Sequence, residues 1–437
     1  MLRTNEHGQV GSMSDTYFFS SLSGGSSENA NTLPTHSTTI RRAETQEEIQ
    51  PLIELSKAGK LFEVQEWIAA GNVVNSPLYP NHRVSRRSPL ETAVEHGFHS
   101  LVKVLLEGGA AIESTGYDEL MEKALDMKRL DLIQLFIEHG YDAKSVSMER
   151  VLATWDPKIM EYFIEKGAEV EDGNPLAWAL CCHIRTALTI FKQYKDHFPS
   201  FQEQANVALR YNCKEGNMKW VSLLLWAGAD PYAPGTDDYR AELHDSEDDG
   251  PSALGYAALW EHFEVFHIKK IRLDPQHPVA REVMQCIDCE KGFEVLRDLL
   301  EKGMDPNDQE TGGCSAILRL LNHMAFDVSL YRQGYFLDRG DDRHQCREKI
   351  KLIHLLVKHG AKWVPKDTSE INEARKALLK LIPDYTVEFI WIMAKYQACS
   401  RPVAEQLLRT STITKHVARF RERLAELTAM LGTIPVA

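Results

Sequence analysis

Ser88-Pro89-Leu90-Glu91-Thr92-Ala93-Val94-Glu95-His96-Gly97-Phe98, running on into Leu101-Val102-Lys103-Val104-Leu105-Leu106-Glu107-Gly108-Gly109-Ala110, decides the fold. Leu101, Val102, Leu105 and Leu106 recur at helical spacing and form the buried stripe of a helix. A glycine closes that stripe, because the residue just past a helix end favours a left-handed backbone that glycine adopts cheaply. The chain then leaves through a small residue into a polar loop.

The signature returns at Trp67-Ile68-Ala69-Ala70-Gly71, Leu135-Phe136-Ile137-Glu138-His139-Gly140 and Tyr162-Phe163-Ile164-Glu165-Lys166-Gly167. It appears again in Leu223–Gly228, Leu299–Gly303 and Leu355–Gly360. The closing glycines (71, 109, 140, 167, 228, 303, 360) are separated by 38, 31, 27, 61, 75 and 57 residues. The first three steps fit one unit of about thirty residues and the last three fit two units with insertions. Copies without the closing glycine are therefore expected between them. Pro175–His197 and Ser252–Ile271 each read as such a helix pair. Within the last step, Cys314–Met324 and Arg347–His359 supply a first and a second helix.

These units resemble the ankyrin repeat family. Ser88-Pro89-Leu90-Glu91 looks like the family's Thr-Pro-Leu-His start, with Ser for Thr and Glu91 for His. Glu215–Pro231 and Ser252–Val265 are further copies, and Leu55–Val64 keeps only the second half of the motif. The resemblance spans roughly residues 46–364. It implies an all-α solenoid of helix-turn-helix units, about nine of them, in which each unit touches only its neighbours. Several copies lack the Pro and His, and the units vary in length. Residues 1–43, rich in Ser, Thr, Asn and Gly, read as a disordered tail. Residues 44–365 read as the array, with insertions at 233–250 and 326–345, and residues 366–437 as a helical C-terminal cap.

The family commonly grips proteins along its concave, loop-lined face, so a protein-interaction scaffold or adaptor is the function implied. The matching positions are Val84, Ser85, Arg87, Glu95 and His96 in one copy and Lys214 and Glu215 in another. Asp248, Asp249, Leu259 and Trp260 match in a third, Trp260 being the expected anchor because interface centres are enriched in Trp, Tyr and Arg. The 233–250 insertion holds seven acids against one Arg and suits a basic partner. The 326–345 insertion brings Tyr331, Tyr335 and Phe336 beside Arg332, Arg339 and Arg343 and reads as a contact loop. The basic loop His82–Arg87 is a third surface feature.

Other functions fit less well. A net charge of -13 argues against general affinity for nucleic acid or anionic membrane. No eighteen-residue apolar run or secretory h-region is present, and the eight cysteines read as reduced thiols, which points to a monomeric cytoplasmic protein. Phosphate loops, Gly-x-Ser-x-Gly and His-Glu-x-x-His are missing, so no enzyme and no cofactor are expected. Cys286-Ile287-Asp288-Cys289, with His344 and Cys346 further on, is the only metal-like spacing. Both cysteines fall in what reads as a first helix, where they share a core face, so buried thiols are expected rather than zinc. His96, His139, His262 and His359 read as structural. An alternative function assigns residues 402–424, with Arg419, Arg421 and Arg423, to a nucleic-acid-associated regulator, although the usual turn glycine is missing.

Overall fold

The computed structural model describes residues 40–77, 88–112, 120–240, 250–308, 315–333 and 342–409, with a few positions between 425 and 432. Among these, regular structure is helical, and a lone bridge between Arg42 and Asn75 is the only β pairing.

One unit explains the others. Helix Pro89–Glu95 starts because Ser88 Oγ accepts from the Glu91 backbone N–H at 3.0 Å while Glu91 Oε2 accepts from the Ser88 N–H at 3.4 Å. Proline at the first helical position adds a pre-set φ. Glu91, standing where a His was expected by resemblance, is thus a capping residue, and it also takes the Lys123 ammonium of the next unit at 2.6 Å. The helix turns through His96-Gly97, and the second helix buries Leu101, Val102, Leu105 and Leu106. Fully burying such a side chain contributes about 1.5–3 kcal/mol, which drives the stacking of amphipathic helices too short to persist alone.

Among the described residues ten helix pairs follow one another. They begin α1 (Gln46–Lys57) and α2 (Leu61–Ala69), α3 (Pro89–Glu95) and α4 (His99–Glu107), and α5 (Leu120–Asp126) and α6 (Leu130–Glu138). Next come α7 (Met148–Ala153) and α8 (Pro157–Glu165), α9 (Pro175–Cys181) and α10 (Arg185–Tyr194), and α11 (Phe201–Lys214) and α12 (Met218–Ala227). In the seventh pair α13 (Ala253–Leu259) is followed only by a 3-10 turn, Phe263–His267. The rest are α14 (Pro278–Cys286) and α15 (Phe293–Glu301), α16 (Ala316–Arg332) and α17 (Asp342–Lys358), and α18 (Thr368–Lys380) and α19 (Pro383–Lys395). The last described helix, α20 (Arg401–Leu408), packs on α18 and α19. First helices stack on first helices and second on second, around one continuous core that includes Phe136, Phe163, Phe191 and Phe389.

The turn inside a pair has a local requirement of its own. Between the helices of a pair one residue takes a left-handed backbone, and Gly59, Gly97 and Gly216 do so at φ near +66, +69 and +67. Lys128, Trp155, His183 and Glu261 hold the same place at φ of 55 to 65, while Gln397, at φ 52, follows α19 where a closing glycine would stand. Each accepts strain of order 1 kcal/mol that glycine would avoid. At Gly59 the space is used as well, since a β-carbon there would sit 3.1 Å from the Phe98 ring of the next unit.

Several expectations change. Residues 40–43, assigned to the tail, run along the first loop, with Ala43 N–H donating to Asn75 O at 2.9 Å. Phe326–Arg332, assigned to an insertion, continues α16 as helix. Helix α14 ends at Cys286, so Cys289 lies in the following turn and does not share a helical face with it. Beyond residue 365 the pairs carry on in register: the Trp363 N–H donates to Ala398 O at 2.7 Å, and α18 packs on α16.

Candidate partner-binding surface

Helix α11 carries a fully buried arginine, Arg210, that organises what lies above it. Its Nε donates to Thr236 O at 2.6 Å, and its Nη1 donates to Ala233 O and Pro234 O at 3.0 Å each. Its Nη2 bonds Glu203. A buried guanidinium needs its donors satisfied, and here the backbone of residues 233–236 satisfies most of them. The first part of the acidic insertion is therefore a strap folded back over α11.

The strap places Asp237 between two units. Lys214 Nζ lies 2.6 Å from Asp237 Oδ2, and the Tyr256 hydroxyl donates to Asp237 Oδ1 at 3.0 Å. Burial, and then the Asp237 carboxylate, push the Tyr256 phenol up to about 12. Lys214 Nζ also sits 5.5 Å from the Trp260 ring centre, within cation–π reach. Tyr239 meets Tyr211 edge-on at 5.9 Å, with Arg240 5.4 Å from the Tyr239 ring. Burial raises the Glu149 carboxyl, with Arg240 drawing it partly back.

Trp260 ends α13 with 51% of its surface exposed, and Leu259 before it is 54% exposed. They lie on the edge of the array where first helices hand over to second. The same edge exposes Phe98, Met127 and Trp155, and Trp155 is a bulky residue held at φ 59. Neighbouring turns touch: the Arg129 Nη1 donates to Gly97 O at 3.2 Å, and Lys291 Nζ pairs with Glu261 Oε2 at 3.1 Å. Past Glu261 the edge opens into a cleft of about 340 Å³ that Tyr331, Asp288, Cys289 and His344 also line.

The expected contact residues thus divide. Lys214, Leu259 and Trp260 come together with the strap, Glu215 caps α11 beside them, and Tyr331 joins the same edge through the cleft. Glu95 and His96 sit four units before Lys214 and five before Trp260; Glu95 takes Lys123 Nζ at 3.1 Å, and His96 Nδ1 lies 2.9 Å from Thr92 O. His139 Nδ1 meets Leu135 O in the same way at 2.8 Å. Val84, Ser85, Arg87, Asp248, Asp249, Tyr335 and Phe336 lie outside the described residues, as does most of the 402–424 segment. Residues that sequence reasoning missed are Arg210, Asp237 and Tyr256, which hold the strap, and Trp155. Only Trp155 had a local signal, since a Trp directly before the Asp156-Pro157 helix start falls outside the apolar period.

The thiols are quiet. Burial pushes Cys286 and Cys289 up to about 11 and Cys213 up to about 12, so they are neutral near pH 7. No described helix is long and apolar enough to cross a membrane.

No protein-family model and no curated protein sequence matches the chain. Among solved structures it is similar to the human ASB11 ankyrin repeat domain, at 18% identity and a TM-score of 0.33. That likeness covers 54% of this chain and 97% of the other. A superposition that loose adds nothing to what the helix pairs, their left-handed turns and their stacking already establish. The described residues form an all-α array of stacked helix-turn-helix pairs.

Proposed function

We propose that the protein is a binding scaffold that holds a partner protein along the turn edge from Trp155 to Tyr331, with Trp260 as anchor. The observation that carries this reading is the half-exposed Trp260–Leu259 step, held beside Lys214 by a strap whose fixing arginine is fully buried. Exposed large apolar side chains in a row mark interaction surfaces, and a pre-ordered anchor loses little entropy on binding. The acids of the 233–250 insertion favour a partner that presents basic residues around an apolar centre. Backbone strain at Trp155 supports the same edge, because a bulky residue persists in that region only where its surroundings or its role hold it there.

The test is affinity capture from the native cell with three full-length chains: unaltered, Trp260→Ala and Trp226→Ala. Trp226 is an equally suitable control, 64% exposed but on the second-helix row. The proposal expects a protein captured by the unaltered and Trp226→Ala chains and lost with Trp260→Ala. Identical capture by all three contradicts it.

A further inference from the structure

We infer that Glu290, His344 and Glu348 form a binding site for a divalent transition-metal ion of the borderline class that includes zinc. The three side chains come from two units. His344 and Glu348 stand one turn apart on α17, with His344 Nδ1 3.3 Å from Glu348 Oε1. Glu290 opens the 3-10 turn Glu290–Gly292 of the preceding unit, against which α17 packs. One ligand atom from each lies within 4.8 Å of the other two, close enough for a single ion to draw them into contact.

The donor set selects the ion. One imidazole nitrogen with two carboxylate oxygens suits zinc and its neighbours, whereas calcium and magnesium prefer all-oxygen shells. Soft ions would need sulfur, and none of the three ligands supplies it. Three protein ligands on the wall of a 340 Å³ cleft leave a coordination position open to water. Lys351 is the competitor, since its ammonium pairs with Glu290.

Such an ion would staple the start of α17 to the preceding unit. The site is independent of the partner-binding reading.

The experiment uses the full chain, stripped with a chelator and titrated with zinc chloride in a calorimeter, then with cobalt(II) for its absorption spectrum. The unaltered chain should take up one zinc that is weakened at least tenfold in His344→Ala and in Glu348→Gln, since even residues supporting a ligand cost 10–100-fold. Lys351→Met should bind more tightly. Cobalt should show ligand-field bands without thiolate charge transfer, and zinc should raise the melting temperature of the unaltered chain but not of His344→Ala. The inference is overturned if zinc is not taken up, if both variants bind as the unaltered chain does, or if the cobalt spectrum is that of a thiolate site.

Discussion

Asn307 Nδ2 donates to the Gly360 carbonyl at 3.0 Å, spanning 53 residues of sequence, while its Oδ1 accepts from the Lys362 N–H at 2.7 Å. Asn75 does the same at the other end of the array, with Gly109 O at 2.9 Å and the Ala111 N–H at 2.7 Å. Each Asn stands four residues after a closing glycine and latches its loop to the next unit's closing glycine. The long insertion between Asn307 and Gly360 therefore leaves the stacking register intact. Replacing Asn75, 6% exposed, by Ala should cost about 1–3 kcal/mol because its part-buried bonds to the Gly109 carbonyl and the Ala111 N–H are lost. The exposed Asn307→Ala should cost about 1 kcal/mol or less, since water replaces the lost partner. Urea unfolding of both variants measures the difference, and equal losses would refute the burial argument.

Arg210 should be the residue the strap depends on. Arg210→Met removes the donors to Thr236, Ala233 and Pro234 and the cation beside Glu203, which keeps its bond from Asn206. The expected result is a loss of about 2–4 kcal/mol, as three strap carbonyls lose a charged donor, together with protease cleavage within residues 231–240. Lys214→Met breaks one partly exposed pair and should leave the strap resistant. Limited proteolysis followed by mass spectrometry reads both outcomes.

Tyr256 predicts an alkaline signature. Its folded-state value is raised to about 12 by burial and by Asp237, above the ordinary tyrosine value near 10. A raised value means the neutral phenol is favoured in the fold, so its stabilising contribution is complete below about pH 10 and is lost as pH rises toward 12. Ultraviolet titration should lose its latest-ionising tyrosine in Tyr256→Phe, while Tyr162, Tyr194 and Tyr211, also raised by burial, still ionise late. The same variant should flatten the fall in stability between those pH values.

Glycine should be better tolerated than the native residue at a strained turn. Lys128 holds φ 55 on the edge of α5 and α6. Lys128→Gly should be neutral to about 1 kcal/mol stabilising, the relieved strain offsetting the entropy that glycine loses on folding. Lys128→Val should destabilise by more than 1 kcal/mol, since a β-branched side chain fits a left-handed backbone poorly. Thermal unfolding of the pair checks the sign.

The repeat was legible wherever a closing glycine survived: Gly109, Gly140, Gly228 and Gly360 each mark a second helix that the structure places as expected. Recognition faded where another element supplied the local need. Gln204 Oε1 caps α9 from the next unit, accepting from the Leu176 and Ala177 N–H groups at 2.9 and 3.2 Å. Glu282 likewise accepts from Ser252 N–H at 2.8 Å, through space left by Gly255, which has no side chain. Such caps have no signature within their own repeat. The candidate surface was half legible: Lys214 and Trp260 could be placed by repeat position. The Arg210 strap and the approach of His344 to Glu290 arise only when units stack, so no local spacing announces them.

The central claim is that the partner sits on the turn edge around Trp260. The direct measurement is hydrogen–deuterium exchange of the full chain, free and with the captured partner bound. Protection should concentrate at the turns containing Trp155, Cys182 and Trp260 and at strap residues 231–240, with the second helices near Trp226 unchanged. Protection centred on Trp226 and the second-helix row, with the Trp260 turn unaffected, would contradict it.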